Sequence, residues 1–552
     1  MDAFRRSFIR LSVVTAVSLA IGGCNNSDSK DSTVNGLSVM LDPDNSMVKH
    51  NAEQIVLKFN EPIDPETLDG NILLKDKIGS LGNAYTVMPD PADSHRQRVL
   101  IKLNDGFGLK ESWKYTIAVS DHIRSIYGYS LPAPISLEFV TTGKNPFEST
   151  EPGESKRTKI VVISDLHMNE QRGYEDGYSL FTENGKLLEA FLEKVRSSDQ
   201  IKELVVLGDM MDMWVVPMAY RTFHDDVADT QAYFHSVAEA NVNKGIIDKL
   251  NQIADEGLIR FSYVPGNHDM LFTEEIFYSI FPNGHWHGGT AGTGSYTPAY
   301  ETNVTMEHGH NYDLFNAPDS VTTEGSILPP GYFITRIYAT GNLQSTEKLP
   351  IEPQATENIA PELIYTTAWD IAVASINIPN FDPDKPQIYT QIDDYTQLYS
   401  SNDARDIYTE TIAPDWKERQ ERNGVIFPTP VIVGIMNGSG KFFWFGTLEY
   451  SAIMQYFVPQ ESKTRIVVFG HTHHALLKKD LATLGNIYAN SGTWVDRKYL
   501  NEGALTGTAV ILNTSASSGS DIDSVTLYQA VMGDDEKLSL KLIDEEYLDS
   551  TN

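Results

Sequence analysis

A short apolar run followed at once by polar side chains, KIVVISDLH at residues 159–167, decides the fold of the larger part of the chain. Residues 159–163 predict a β-strand that is buried on both faces, as in a parallel sheet. Asp165 and His167 follow its carboxyl end, where open α/β sheets usually place their functional sites. We therefore expect an α/β domain whose site begins with these two side chains.

The same arrangement occurs twice more downstream. Apolar residues 204–207 precede GDMMD at 208–212, and residues 261–264 precede GNHD at 266–269. Between the first two strands, apolar residues recur at the spacing of an amphipathic helix: Leu187, Leu188, Phe191, Leu192 and Val195. Strands and helices in alternation predict an α/β core with polar groups at the strand ends.

Five short motifs follow one another in order: DLH at 165–167, GDMMD at 208–212, GNHD at 266–269, HG at 308–309 and GHTH at 470–473. Together they resemble the motifs of the calcineurin-like metallophosphoesterases. Carboxylate, amide oxygen and imidazole suit hard to borderline divalent cations. The resemblance implies a four-layer α/β/β/α sandwich over residues 158–548.

The resemblance also implies a role for each motif residue. It implies two divalent ions (Mn, Fe, Zn or Co) bridged by Asp209, and attack of metal-bound hydroxide on a phosphate ester or pyrophosphate bond. The other ligands would be Asp165, His167 and His473 on one ion, and Asn267, His308 and His471 on the second. His268 would stabilise the phosphoryl oxygens or protonate the leaving oxygen, and Asp269 could orient its ring.

Neighbouring side chains leave alternatives open. His310 could replace His308 as the ligand. Asp212 is expected to accept a hydrogen bond from a metal ligand rather than to bind the metal itself. His285 and His287 are expected to be either exposed loop residues or contacts to the substrate.

Residues 311–463 are expected to form an insertion far longer than a simple connection needs. An insertion at this point resembles the caps that select substrate in some family members; the alternative is a peripheral decoration. Residues 208–214, GDMMDMW, resemble the GDxxDxW motif of UDP-2,3-diacylglucosamine hydrolases. The expected substrate is a phosphorylated small molecule or a lipid-like compound.

Residues 1–24 resemble a bacterial lipoprotein signal. A basic start is followed by an uncharged apolar run at 11–21, which is too short to span a bilayer. The run ends at IGGC, and Cys24 is the only cysteine in the chain. The resemblance implies lipidation of Cys24, export, and an outer-membrane or cell-surface location, with residues 25–35 as a polar tether.

Residues 36–143 carry short β-rich segments separated by turns, at 55–59, 99–103, 115–119 and 135–140. This spacing predicts an all-β sandwich. The FNEPID sequence at 59–64 resembles the start of bacterial Ig-like modules, and nothing in the sequence indicates the partner of this module. Residues 144–157, rich in Pro, Glu and Ser, are the expected linker.

A net charge of −32 argues against a basic surface that tracks a phosphate backbone, so no nucleic-acid partner is expected. The leading hypothesis is an extracytoplasmic, two-metal phosphoesterase. The alternative is a cell-surface binding or adhesion lipoprotein that acts through its Ig-like module and carries a vestigial phosphoesterase domain.

Overall fold

The computed structural model describes residues 36–42, 47–48, 52–76, 79–104, 107–109, 114–141, 146–147, 157–225, 227–289, 292–344, 361–428, 448–459, 461–480, 485–501, 503–514, 522–533 and 537–548. The predicted signal, Cys24 and the tether lie outside these residues. The chain divides into two compact units, the smaller including Glu53–Phe107 and Thr116–Glu138 and the larger including Phe139–Asn552.

The first eight strands build an all-β region. They are β1 (Val39–Leu41), β2 (Met47–Val48), β3 (Gln54–Phe59), β4 (Ile72–Asp76), β5 (Tyr85–Pro89), β6 (Arg98–Leu103), β7 (Lys114–Val119) and β8 (Ile135–Thr141). Two four-stranded sheets result, in the orders β1-β3-β6-β5 and β2-β8-β7-β4. Alternate residues Ile55, Leu57 and Phe59 of β3 are buried, as in a sheet with one covered face. The predicted strands and all-β fold are confirmed.

Two further sheets form the core of the larger unit. Its strands are β9 (Lys159–Ile163), β10 (Ile201–Leu207), β11 (Arg260–Val264), β12 (His285–Trp286), β13 (Ser295–Tyr296), β14 (Val304–Glu307), β15 (Ile388–Tyr389), β16 (Leu398–Tyr399), β17 (Ile466–Phe469), β18 (Leu476–Asp480), β19 (Asn486–Asn490), β20 (Thr508–Thr514), β21 (Ile522–Met532) and β22 (Leu538–Tyr547). One sheet has the order β12-β11-β10-β9-β20-β21-β22, and the other β13-β14-β17-β19-β18. Strands β15 and β16 pair separately.

The three predicted strands lie side by side in the seven-stranded sheet. Strands β9, β10 and β11 are parallel, so their carboxyl ends meet at one edge. Strands β20, β21 and β22 extend the sheet in antiparallel fashion. In the second sheet, β14, β17 and β19 are also parallel. Each sheet therefore presents several strand ends at one edge.

The helices, in chain order, are α1 (Gln171–Asp176), α2 (Gly185–Ser197), α3 (Thr230–Glu239), α4 (Asn241–Glu256), α5 (Glu274–Ile280), α6 (Pro330–Gln344), α7 (Pro361–Ile376), α8 (Ser401–Thr409) and α9 (Trp416–Arg422). Helix α2 confirms the predicted amphipathic helix, because Leu188, Phe191, Leu192 and Val195 are all buried. Each such side chain contributes about 1.5–3 kcal/mol when removed from water.

Successive side chains of the central strands point to opposite faces of the sheet, and each face packs against a different layer. Ile160 and Val162 of β9 belong to a core that also contains Val304 and Ile466 of the second sheet. Val161 and Ile163 point to the opposite face, into the core that includes helix α2. On the outer face of the second sheet, Phe469 and Tyr488 pack with Leu448 and Ala452. The α/β fold, with its two stacked sheets covered on both outer faces, agrees with the prediction.

The long insertion leaves and re-enters the second sheet between two neighbouring parallel strands, β14 and β17. Its helix α6 packs onto the loop that follows the GDMMD motif. The buried Arg336 guanidinium donates to the backbone oxygens of Pro217 at 3.2 Å and Tyr220 at 2.6 Å. The insertion is thus joined to the loops at the strand ends rather than being a peripheral decoration.

Candidate metal centre

Five motif residues have a left-handed backbone conformation, which is unusual for residues that carry a Cβ atom. Their φ angles are 55° at Asp165, 51° at His167, 51° at Asp209, 69° at His471 and 57° at His473. Such conformations cost on the order of 1–3 kcal/mol each and persist only where surrounding contacts fix them. The strand ends are therefore strained at the positions of the candidate ligands.

The first cluster contains Asp165, His167 and His473, all buried. His473 Nε2 lies 3.3 Å from Asp165 Oδ1 and 3.0 Å from His167 Nε2. His167 Nδ1 donates to Asp212 Oδ2 at 2.7 Å, so its Nε2 presents a lone pair to the cluster. A carboxylate oxygen and two imidazole nitrogens converging in this way are typical of a divalent-metal site.

The second cluster contains Asp209, His308 and His471. His308 Nδ1 donates to the backbone oxygen of Leu207 at 2.7 Å, and its Nε2 lies 3.2 Å from Asp209 Oδ2. Asn267 is 1% exposed, and its Oδ1 has no hydrogen-bond partner in the described part of the chain. A cation in this cluster would give the amide oxygen the partner that the protein does not provide.

Asp209 lies between the two clusters. Its Oδ2 is 3.2 Å from His308 Nε2 and 3.7 Å from His167 Nε2, while its Oδ1 accepts the backbone N–H of His268 at 2.8 Å. The backbone contact fixes the carboxylate so that one oxygen faces both sets of imidazoles. Asp209 is thus placed to contact ions in either cluster.

Unpartnered buried atoms test whether these residues fit metal ions. Asp165 Oδ1, Asn267 Oδ1 and His308 Nε2 are buried without hydrogen bonds among the described residues. The Asp165 and His308 atoms have only ion-pair contacts, to His473 at 3.3 Å and to Asp209 at 3.2 Å, and each missing hydrogen bond costs about 1–3 kcal/mol. Divalent cations would satisfy all three, so the residues present fit the metal.

The pKa values of His308 and Asp209 also indicate that the second cluster suits a cation. Burial alone would lower the pKa of His308, yet the Asp209 and Asp165 carboxylates raise it to about 10. Burial would raise the pKa of Asp209, but His308 and His268 hold it well below its ordinary value. The site therefore favours positive charge at its centre, whether a proton or a cation supplies it.

His268 is held by a carboxylate and an aromatic ring. Its Nδ1 donates to Asp212 Oδ2 at 2.9 Å, and the Trp214 ring lies against it with centroids 4.6 Å apart. Burial would lower the pKa of His268, but Asp212 and Asp209 raise it. Because Nδ1 is engaged with Asp212, Nε2 is the nitrogen that can meet a substrate.

Asp269 does not orient this ring, which corrects the expectation from the sequence. Its carboxylate accepts backbone N–H groups of Gly266 at 2.7 Å and Met210 at 2.7 Å, so both oxygens are committed to the strand ends. The orienting carboxylate is Asp212, for which the sequence predicts only a hydrogen bond to a metal ligand. One oxygen of Asp212 serves both His167 and His268.

The remaining histidines are outside the two clusters, although the His310 ring lies beside the centre, 5.5 Å from the ring of His308 and 6.4 Å from that of His471. His310 is 1% exposed, but His308 rather than His310 approaches Asp209. His287 stacks on Tyr296 with centroids 3.7 Å apart, and Ser262 Oγ lies 3.1 Å from its Nε2. His287 and its strand neighbour His285 belong to none of the metal-capable clusters in the described residues.

Comparison with known families agrees with this geometry. Residues 158–353 match the family model for calcineurin-like phosphoesterases. The larger unit carries a calcineurin-like phosphoesterase domain. The match supports a metal-dependent phosphoesterase, and residues 35–141 before this domain match the model for bacterial Ig-like domains. His471 and His473 lie beyond the matched range, and the fold brings them to the phosphoesterase site.

Solved structures show partial likenesses. A protein described as a candidate 5'-nucleotidase from Staphylococcus aureus is 10% identical, with 71% of this chain and 55% of that chain covered and a TM-score of 0.23. CopC from Methylosinus trichosporium OB3b is 13% identical, with coverages of 20% and 97% and a TM-score of 0.15. The S-layer protein SbsC is 18% identical, with coverages of 20% and 14% and a TM-score of 0.14. The chain spans less than two thirds of the nucleotidase and S-layer chains. No curated protein matches the sequence.

Gly470 offers a test of how tightly the phosphoesterase site is packed. A Cβ atom at this position would lie 2.7 Å from Asp165 Oδ2 and 2.6 Å from Ser164 Oγ. We expect Gly470→Ala to displace Asp165, lower the free energy of unfolding by about 1–3 kcal/mol and weaken metal binding. Denaturant unfolding and metal content would be measured beside Gly108→Ala, whose Cβ meets nothing within 4 Å. Equal stability and metal content of the two variants would show that Gly470 is not tightly packed against Asp165.

Proposed function

We propose that the phosphoesterase domain holds two divalent ions and hydrolyses a phosphate ester or pyrophosphate bond in a phosphorylated small molecule or a lipid-like compound. The position of Asp209 carries this proposal. Its Oδ2 lies 3.2 Å from His308 Nε2 on one side and 3.7 Å from His167 Nε2 on the other. One carboxylate oxygen facing two imidazole sets is the arrangement that a bridging ligand requires.

Two sets of side chains would hold the ions, with Asp209 common to both: Asp165, His167 and His473, and Asn267, His308 and His471. When bound, two such ions supply Lewis acidity at the phosphoryl group and make water a stronger acid. These ligand side chains are buried, so the chain would hold the ions away from bulk water. All ligand types are oxygen or nitrogen, which suits Mn, Fe, Zn or Co.

His268 is proposed to act on the substrate rather than on a metal. Its Nδ1 proton is committed to Asp212, and the rings of His167 and Trp214 each lie 4.6 Å from its own ring. The ring is therefore held in one orientation. A proton on Nε2 can then be donated to a phosphoryl oxygen or to the leaving oxygen as its bond to phosphorus breaks.

The alternative, a binding lipoprotein with a vestigial phosphoesterase domain, is not favoured by the geometry. A domain that had lost its chemistry would not be expected to keep strained backbone at five ligand positions together with unpaired buried oxygens. We therefore propose the hydrolase as the function.

A substrate screen tests the proposal. The full chain without residues 1–24, loaded in turn with Mn, Fe, Zn and Co, would be incubated with phosphomonoesters, phosphodiesters and pyrophosphates. We expect hydrolysis of at least one class, loss of activity with a chelator, and recovery on adding metal. Activity that a chelator does not affect, or no hydrolysis by protein carrying two ions, would contradict the proposal.

We further propose that the protein is exported and anchored outside the cytoplasm by lipid on Cys24, at the outer membrane or cell surface. The support is the sequence at 11–24 and the bacterial Ig-like match at 35–141. Among the described residues, no helix has the length and apolar character needed to cross a bilayer.

Cys24→Ser is expected to move the protein from the membrane fraction to the soluble fraction with unchanged specific activity. Two acyl chains hold a protein stably because each buried CH₂ contributes about 0.8 kcal/mol. Fractionation and mass measurement of the N-terminal peptide would check this result. A variant that stays in the membrane fraction would show that another segment or a partner holds the protein.

A further inference from the structure

The first residues of the insertion contribute a buried carboxylate to the metal centre. Asp313 is 0% exposed, and its Oδ2 lies 3.1 Å from Nε2 of His471. We propose that Asp313 is a positioning residue that fixes His471 for the ion shared with Asp209 and His308. This inference rests on the proposed two-ion function and adds a residue that neither the motifs nor the family match assign.

The contact determines which nitrogen of His471 can ligate. Because a carboxylate can only accept, Nε2 of His471 carries the proton and donates a hydrogen bond to Asp313. Nδ1 is then the nitrogen with a lone pair for the metal. The backbone N–H of His471 is held as well, by Asp165 Oδ2 at 3.0 Å. His471, whose φ of 69° is left-handed, is thereby held both at its backbone and at its ring.

Asp313 is itself rigidly held inside the insertion. Its Oδ1 accepts the backbone N–H of Phe315 at 2.9 Å, and its Oδ2 accepts the Asn316 amide at 2.6 Å. The next carbonyl, that of Leu314, accepts from the buried Arg419 guanidinium of helix α9 at 2.9 Å. The packing of the insertion therefore sets the position of the carboxylate that faces His471.

Asp313 stands to His471 as Asp212 stands to His167 in the other cluster. His167 Nδ1 donates to Asp212 at 2.7 Å, and His471 Nε2 donates to Asp313 at 3.1 Å. A carboxylate behind a ligating imidazole fixes the tautomer and raises its basicity, and losing it typically weakens metal binding by about 10–100-fold. Asp212 thus supports one ion and Asp313, from the insertion, supports the other.

Metal titration of Asp313→Asn tests the inference. Cobalt(II) affinity would be measured by chelator competition, with the visible spectrum of the bound ion as a second readout. We expect one of the two dissociation constants to rise by about 10–100-fold and the other to stay unchanged. The matched control is Asp393→Asn: Asp393 lies in the same insertion and accepts from the Ser326 hydroxyl at 2.6 Å and the backbone N–H of Ile327 at 2.7 Å. This control should leave both constants unchanged.

A double-mutant cycle assigns the affected ion. In a His471→Ala background, Asp313→Asn should add no further loss of affinity, whereas Asp212→Asn should add its full effect. Wild-type constants in Asp313→Asn, or an equal added loss in the His471→Ala background, would overturn the inference. A wild-type protein that binds fewer than two ions would instead contradict the proposed function.

Histidine NMR gives an answer even if Asp313→Asn does not fold. In zinc-loaded wild-type protein labelled with ¹⁵N-histidine, His471 should carry its proton on Nε2 and the metal on Nδ1. A proton on Nδ1 of His471 would overturn the inference without any variant.

Discussion

Asp209→Asn is expected to remove both metal ions together and to reduce turnover to the level of the metal-free protein. The amide keeps the size of the side chain but removes the negative charge that lies 3.2 Å from His308 and 3.7 Å from His167. Without that charge, the repulsion between two dications a few ångströms apart is no longer offset. Elemental analysis of the desalted variant would measure the loss.

The control for this substitution is Asp496→Asn. Asp496 is also a fully buried carboxylate, but it accepts backbone N–H groups of Thr182, Glu183 and Asn184 rather than facing the metal clusters. We expect Asp496→Asn to lose stability and to keep its metal. If Asp209→Asn retains one tightly held ion, Asp209 does not bridge the two ions.

His268→Gln should keep nearly all of its metal and lower turnover by about 10²–10⁴-fold, the range for losing an acid–base group. The loss should be smaller for substrates with good leaving groups such as nitrophenolate, because these need little protonation. Turnover of nitrophenyl and alkyl esters, compared in parallel, would measure the difference.

His287→Gln is the matched control, since His287 stacks on Tyr296 and belongs to none of the metal-capable clusters in the described residues. Its turnover should equal that of the wild type. Equal losses for good and poor leaving groups in His268→Gln would show that His268 stabilises charge and does not transfer a proton.

The central strands could be predicted from sequence because burial on both faces requires runs of apolar residues. Residues 159–163 and 261–264 have that composition, and the polar residues that follow them lie at the strand ends. Strands such as β12 (His285–Trp286) and β13 (Ser295–Tyr296) are two residues long, which is too short for any periodicity to show.

The detailed geometry of the site depends on the tertiary fold and could not be predicted. Sequence suggested Asp269 as the partner of His268 because the two are adjacent, but the left-handed turn at Asp209 brings Asp212 to the ring instead. Asp313 lies 158 positions before His471, in a region without a motif. Only the folded insertion brings these two side chains together.

Anomalous scattering from crystals of the manganese-loaded wild-type protein would test the two-ion centre most directly. We predict two peaks about 3.5–4 Å apart, the usual separation in two-metal sites, with Asp209 between them. One peak should contact His167 and His473, and the other His308 and His471. A single peak at full metal occupancy, or two peaks with no shared contact to Asp209, would contradict a two-ion centre bridged by Asp209.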